Sequence, residues 1–135
     1  QSADFVARAY LLGSAFGVER FYWYAWDNVS MGLEEPKAKT LKPGAVALNV
    51  IARWITGNPP PICSESNRMW LCTLAASPTK RRVVVWSPDS SKRYAAPSGW
   101  RIQQIERADG RTESPSSSAS IRTDGMPRQL ELVPG

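Results

Sequence analysis

The chain has 135 residues, of which 42% are hydrophobic and 21% charged, a size and composition typical of one globular domain or two small ones. It contains no histidine, so a Ser-His-Asp triad, a Cys-His pair and histidine metal sites are excluded. With two cysteines, four-cysteine zinc sites and iron–sulfur clusters are excluded as well. We therefore expect no metal and no cofactor, and either carboxylate, tyrosine, lysine or serine–lysine chemistry or binding alone.

The net charge is +5, from 17 basic and 12 acidic residues. Up to Gly57 there are six basic and five acidic side chains, and beyond it eleven and seven, so most of the excess lies in the second part. The one tight cluster, Lys80-Arg81-Arg82, is typical of a solvated hairpin end. No apolar run reaches the roughly 20 residues of a membrane span. The chain also starts without a charged-then-apolar leader. We predict neither a nucleic-acid partner nor a membrane partner.

The first predicted element is a helix over Asp4–Phe16. Either Ser2 or Asp4 can cap its start, and Gly17 ends it. The helical spacing comes from four apolar positions: Phe5, Ala9, Leu12 and Phe16.

An aromatic segment, Val18–Trp26, follows this helix, and Asp27-Asn28 ends it. Seven of its nine residues are apolar or aromatic in a nearly continuous run. Such a run is typical of a parallel strand that is covered on both faces. The segment is therefore predicted to be a buried strand.

A long loop then leads to a second helix that begins near Pro43 and ends at Gly57, with Thr40 as a possible cap. The order helix, strand, loop, helix predicts a piece of an α/β repeat over residues 1–57. The apolar stripe of this helix has four members: Val46, Val50, Ile51 and Trp54.

The proline-rich stretch Asn58-Pro59-Pro60-Pro61 is predicted to be a linker between two domains, 1–57 and 62–135. Beyond it the pattern predicts a small antiparallel sandwich-like β-domain, so that the whole chain is α+β. The predicted strands are Met69–Leu74, Arg82–Trp86, Trp100–Arg107, Ala119–Arg122 and Gln129–Val133. Turn signals separate them: Ser77-Pro78, Ser87-Pro88-Asp89, Pro97-Ser98-Gly99, Asp109-Gly110 and Asp124-Gly125.

A strand that is apolar on both faces needs a neighbouring strand on each side, because its edges present unpaired backbone groups. The second part, which is predicted to be antiparallel and half exposed, does not offer such neighbours. We therefore expect that Gln1 is not the start of the natural polypeptide.

The run Arg20–Asp27, with a following helix that ends in Arg53–Gly57, resembles the last β/α unit of retaining TIM-barrel glycoside hydrolases of the cellulase-like and β-xylosidase-like clan. The helix segment Ala7–Leu12 resembles the preceding helix of these enzymes. The second part is similar to the β-domain that follows the barrel in some of them, through Cys63, Trp70–Thr73, Val83–Trp86, Tyr94 and Pro97–Trp100. The resemblance covers nearly the whole chain.

The resemblance implies that the catalytic carboxylates lie upstream of this chain. Retaining glycosidases use two carboxyl groups about 5 Å apart, and in this clan they stand at the ends of the fourth and seventh barrel strands. Within the chain, Asp27 is the only acid at the end of a candidate parallel strand, and Glu34 and Glu35 are adjacent in a loop. We expect the chain alone to be inactive.

Trp26 is the predicted contact to a carbohydrate substrate, because the resemblance implies that the final strand delivers a tryptophan to the sugar site. Packing between barrel and loop is the alternative. Trp23 is a weaker candidate, since it points the opposite way by one register position. Asp27 either binds a sugar hydroxyl or caps the following turn. Tyr22 and Tyr24 are expected to fill the barrel interior.

A non-catalytic carbohydrate-binding β-module is the alternative function. It would use an aromatic platform, and Trp100 is the best candidate because it follows a Pro-Ser-Gly turn. Trp70 and Trp86 fall within strand-like runs, and burial is expected for Trp86.

The two cysteines, Cys63 and Cys72, have eight residues between them. They form either a disulfide or two free buried thiols. A disulfide would fit a secreted or periplasmic protein, in keeping with secreted polysaccharide hydrolases. Asn28-Val29-Ser30 matches a glycosylation acceptor, a triplet that is common by chance.

Overall fold

The computed structural model describes residues 2–88 and 91–135. Gln1 and Asp89, the last residue of the predicted Ser87-Pro88-Asp89 turn, lie outside the described residues. The described part is a mixture of helix and antiparallel sheet. Its elements are α1 (Ala3–Ala15), α2 (Pro43–Ile55), β1 (Ile62–Ser66), β2 (Met69–Ala76), β3 (Arg81–Trp86), β4 (Lys92–Ala95), β5 (Trp100–Arg107), β6 (Thr112–Glu113), β7 (Ser120–Thr123) and β8 (Arg128–Pro134).

The strands form two antiparallel sheets. The larger has the order β1-β2-β3-β8-β5-β6, and β4 pairs with β7 in the smaller. Side chains alternate across the large sheet, as strand geometry requires. On β3, Val83 and Val85 face a core shared with the small sheet, while Val84 and Trp86 face a core shared with the helices. The large sheet is therefore the middle of three layers.

The two helices pack on each other through small side chains, which lets their backbones approach closely. The buried positions of α1 are Ala3, Val6, Ala7 and Leu11, and α2 contributes Gly44, Ala45 and Ala47 together with larger residues. The face predicted for α1 is therefore wrong in part, since Phe5 and Phe16 are exposed. In α2 the predicted stripe is buried at three of four positions, and Val46 lies at its exposed edge.

Both helices end where the sequence predicted, but the proposed caps at their starts are not made. No side-chain capping hydrogen bond is present at either start, and the residue before α2 is Lys42 rather than Thr40. Gly17 follows α1 with φ +82°, and the Val18 N–H donates to the Gly13 carbonyl at 2.9 Å. This is the Schellman arrangement, in which glycine accommodates the left-handed backbone at low cost.

The strand expected over Val18–Trp26 is wrong for this structure. The segment is irregular and largely exposed, and no strand among residues 2–88 and 91–135 pairs with it. A strand forms only where a neighbour satisfies its backbone groups, and the antiparallel sheets are built from residues 62–134 alone. The barrel strand thus remains a hypothesis.

All five strands predicted in the second part are present, with boundaries within two residues. Three strands were not predicted, namely β1, β4 and β6. β1 is polar or charged at three of its five positions and β4 at two of its four, and β6 has only two residues. None of the three strands therefore shows an apolar alternation.

The expected disulfide is present between Cys63 and Cys72, and the alternative of two free thiols is wrong. The two residues are direct cross-strand partners on β1 and β2, with Cα atoms 4.0 Å apart. Closing a loop of this length contributes about 2–3 kcal/mol on the chain-entropy estimate. It fastens an edge strand that few buried side chains hold.

Polar contacts join the helices to the sheet at Glu106 of β5. Its carboxylate accepts hydrogen bonds from the guanidinium of Arg53 at 2.5 and 3.2 Å and from Trp54 Nε1 at 2.8 Å. Arg82 of β3 donates to the Trp54 carbonyl at 3.1 Å. Residues on both sides of the linker 58–61 therefore share one core and one polar junction, and the two-domain division stays a prediction.

Candidate functional site

The segment from Phe21 to Trp26 alternates between two environments although it is not in a sheet. Phe21 and Trp23 pack on α1, where the rings of Tyr10 and Phe21 are 4.6 Å apart and those of Phe5 and Trp23 are 6.0 Å apart. Phe21 nevertheless stays 41% exposed. The three remaining aromatic rings of the segment are exposed further. These are Tyr22, Tyr24 and Trp26, which are 81%, 75% and 50% exposed.

Trp23 is held on the helix side. Its indole Nε1 donates to the Met31 carbonyl at 2.8 Å, and its ring lies nearly parallel to that of Tyr10. The Tyr10 hydroxyl donates to the Phe21 carbonyl at 3.3 Å, and burial raises the pKa of this tyrosine. Trp23 is therefore partly buried against α1, and its contact with a sugar stays a prediction.

Trp26 is the last aromatic residue of the segment, and hydrogen bonds fix the orientation of its indole ring. Nε1 donates to a Glu34 carboxylate oxygen at 3.1 Å, and the Trp26 carbonyl accepts from the N–H groups of Leu33 and Glu34 at 2.7 and 2.8 Å. The loop reaches this position through Gly32, where a Cβ atom would clash with backbone atoms of Asn28. The ring is therefore oriented by the loop while half of it stays in solvent.

Asp27 lies beside this tryptophan but does not cap the turn. Its carboxylate is 4.0 Å from Lys39 Nζ, which is also 3.5 Å from Glu34. The capping is done by Asn28, whose Oδ1 accepts hydrogen bonds from the N–H groups of Ser30 and Met31, both at 2.9 Å. The expected turn role of Asp27 is thus wrong, and the neighbouring amide of the glycosylation triplet performs it.

Glu34 is the residue of this cluster that sequence reasoning missed. The sequence shows it only as an acid adjacent to Glu35, whereas the structure places its carboxylate beside Trp26. The approach depends on the loop closing, through a bridge between Glu34 and Leu41 and hydrogen bonds from Lys42 Nζ to the carbonyls of Asn28 and Val29. No local sequence pattern predicts these contacts.

The tryptophans of the β-part are covered. Trp86 is buried, as expected, and stacks on Trp70 with ring centroids 5.8 Å apart and an angle of 8° between the planes. Trp100 is half buried, and the Arg81 guanidinium lies 4.1 Å from its ring centre. A free aromatic platform would need an open ring face, so these contacts do not favour the β-module alternative.

Two kinds of site are not seen in the described part of the chain. Within residues 2–88 and 91–135, no group of three or more acidic, cysteine or histidine side chains is placed to hold a metal ion. Neither of the helices described is long and apolar enough to cross a membrane.

No protein-family model matches the sequence, and no curated protein matches it. Among solved structures, the chain is similar to a family 39 glycoside hydrolase from the gut symbiont Bacteroides cellulosilyticus WH2, with a TM-score of 0.66 and 14% identity. The match covers 98% of this chain and 30% of the hydrolase. At this identity the similarity shows a shared fold.

A second solved structure, an isomaltulose synthase variant from Erwinia rhapontici NX5 in complex with D-glucose, matches with a TM-score of 0.46 and 15% identity. The match covers 64% of this chain and 16% of the synthase, and a similarity of this size supports no argument. The chain thus spans less than a third of the length of either protein.

Proposed function

We propose that this chain is the C-terminal part of a glycoside hydrolase that is secreted or periplasmic. Residues 1–57 would complete a TIM barrel, with Trp26 in the wall of the sugar site, and the β-part would support the barrel. The carbohydrate and the upstream barrel portion, in the same protein or in another chain, would be its partners. The similarity to part of a glycoside hydrolase and the disulfide support this proposal.

The observation that carries the proposal is the two-sided aromatic segment. In a (β/α)8 barrel, each strand packs one face on the outer helices and turns the other to the interior. Phe21 and Trp23 contact aromatic rings of α1, whereas Tyr22, Tyr24 and Trp26 have no such contact and are the more exposed rings among the described residues. The upstream barrel would cover the two tyrosines.

Trp26 suits a sugar contact by its position and its chemistry. It is the last residue of the aromatic segment, and barrel ligands bind at the C-terminal ends of the strands. A flat indole stacks on the apolar face of a pyranose. The hydrogen bond from Nε1 to Glu34 fixes the plane of the ring before substrate arrives, which lowers the entropy cost of binding.

We expect neutral oligosaccharides to perturb Trp26 alone among the six tryptophans of the chain. The measurement is a titration of tryptophan-labelled protein with xylohexaose and cellohexaose, followed through the indole N–H signals in NMR. Binding should be weak, since only part of a site is present. Trp26→Ala should abolish the perturbation, and Trp100→Ala should leave it intact. A perturbation centred on Trp100 would support the β-module and contradict our assignment.

The chain alone is expected to hydrolyse no glycoside, because the two carboxylates that retention requires would lie upstream. The assay is release of 4-nitrophenol from a panel of aryl glycosides, with Asp27→Asn/Glu34→Gln/Glu35→Gln as the matched variant. Hydrolysis that persists in this variant would contradict our inference that the chain lacks the catalytic carboxylates. Turnover that the variant abolishes would move catalysis into the loop and overturn the proposal equally.

A further inference from the structure

The small sheet carries an unusual pair of charges on its outer surface. Arg93 of β4 and Arg122 of β7 are direct cross-strand partners, and both are exposed. Their neighbours Tyr94 and Ile121 point inward to the core with the large sheet. The sequence shows these arginines as scattered residues, 29 positions apart, and only the strand pairing brings them together.

The charged side chains around this pair are all positive. Residues 91–105 and 114–123 contain Lys92, Arg93, Arg101 and Arg122 and no aspartate or glutamate, so they hold four of the five net positive charges of the chain. None of these four side chains forms an ion pair with any residue in 2–88 or 91–135. We call residues 91–105 and 114–123 the cationic layer.

The pairing of Arg93 with Arg122 opposes folding, because like charges that face each other across two strands are destabilising. The compensation present is one neutral hydrogen bond, from Arg93 to the Ser120 hydroxyl at 2.8 Å. By contrast, Arg107 and Arg128 are each bound to two carboxylates. An anion that bridges Arg93 and Arg122 would convert this repulsion into attraction.

A groove of about 560 Å³ opens between the cationic layer and β2 and β3. Arg81 and Tyr94 contribute polar groups to it, and the rest of its lining is mainly aliphatic. The Arg81 guanidinium is packed over Trp100 and has no carboxylate partner among the described residues. Tyr94 is only 6% exposed, yet its hydroxyl makes no hydrogen bond within residues 2–88 and 91–135. These two groups are placed to meet a ligand.

We propose that the cationic layer and its groove bind an acidic polysaccharide built of uronate units. The carboxylates would bind Arg93 and Arg122, since guanidinium and carboxylate form paired hydrogen bonds. The groove lies on the inner side of β4, so a different sugar unit of the same polymer would pass around the edge of the small sheet and place its apolar face there, with a hydroxyl on Tyr94. The choice of a glycan over other polyanions rests on the proposed function, and the serine-rich stretch 114–120, which offers neutral hydroxyls, agrees with it.

The test measures binding of polygalacturonate by affinity electrophoresis and calorimetry at about 50 mM salt, where charge contacts are weakly screened. Fully methyl-esterified polygalacturonate is the matched ligand, since it keeps the sugars and loses the charge. Arg93→Gln/Arg122→Gln is the variant, and Arg20→Gln/Lys37→Gln makes the same charge change in the exposed loop. We expect the first variant to weaken binding roughly tenfold or more and the second to change it little. Thermal denaturation verifies that each is folded.

Tyr94→Phe is a second variant, expected to weaken binding less than the arginine pair, since it removes one hydroxyl that makes no hydrogen bond in the fold. Equal binding of the esterified polymer, equal loss in both charge variants, or an unchanged affinity of the arginine variant would each overturn the proposal. Tighter binding to a DNA duplex or to phosphatidylglycerol vesicles would overturn the choice of polyanion. Trp26→Ala should keep polygalacturonate binding. A failure of the proposed role of Trp26 in the sugar site is therefore distinguishable from a failure of the cationic layer to bind.

Discussion

Replacement of Trp86 by alanine is expected to lower the free energy of unfolding by about 3–5 kcal/mol, the range for removal of a buried tryptophan. Trp86 is 1% exposed on the face of β3 that meets the helices, and its ring stacks on Trp70. Phe16, which directly follows α1, contacts Trp70 edge-on, with centroids 6.4 Å apart. The alanine variant therefore leaves a cavity at the junction of the helices and the large sheet.

Urea denaturation followed by far-UV circular dichroism measures this change. Trp86→Phe keeps an aromatic ring and should lower the free energy of unfolding by about 1–2 kcal/mol. This variant gives a measurable change even if the alanine variant does not fold. Trp26→Ala is the matched control at a half-exposed position, with an expected change below about 1 kcal/mol. Equal losses for Trp86→Ala and Trp26→Ala would contradict the assignment of Trp86 to the shared core.

The sequence predicts the helices and central strands because their pattern is local. Five strands of the β-part and both helices appear near their expected positions, since apolar periodicity and glycine or proline boundaries are properties of short segments. The disulfide was one of two open alternatives, and the register that places Cys63 opposite Cys72 decides it. Polar edge strands such as β1 carry no such pattern.

The aromatic segment shows where sequence reasoning stops. Its composition is typical of a buried parallel strand, but strand formation depends on a neighbour that no residue of the segment specifies. What survives is the alternation of its two faces, with Trp23 on α1 and Trp26 in solvent. The Trp26–Glu34 contact was beyond prediction for a similar reason, because the two residues are eight positions apart and meet only when the loop between them closes.

Glu106 is the second position where we expect a large effect. It accepts hydrogen bonds from Arg53 and from the indole N–H of Trp54, which is 1% exposed. Glu106→Gln keeps the size of the side chain but removes the charge and replaces one of the two acceptor oxygens by an amide N–H₂, so a donor loses its acceptor. We expect a loss of about 2–3 kcal/mol, the cost of a buried donor without its charged acceptor. Most of it should come from Trp54, since the Arg53 side chain is 60% exposed and its ion pair is screened.

The loss at Glu106 should depend on pH. Burial by itself would raise the pKa of this carboxyl, but hydrogen bonds from Arg53 and Trp54, with the charges of Arg53 and Arg82, outweigh burial and lower it. A pKa that is lower in the folded state adds stability above the unfolded value of about 4.3 and loses it as the pH falls through the folded value. The difference between the wild type and Glu106→Gln in urea denaturation should therefore be constant from about pH 6 to 8 and shrink below about pH 4.5.

Glu131→Gln on the neighbouring strand β8 is the matched control for Glu106→Gln. Glu131 pairs with Lys80, whose side chain is 54% exposed, so its removal should cost less than about 1 kcal/mol at any pH. Other carboxylates titrate in the same range, among them Asp124, whose pKa is lowered by the hydrogen bond from Arg128. They are common to the variants and the wild type, so the difference isolates Glu106. A difference that grows as the pH falls below about 4.5 would contradict the lowered pKa and the junction drawn from it.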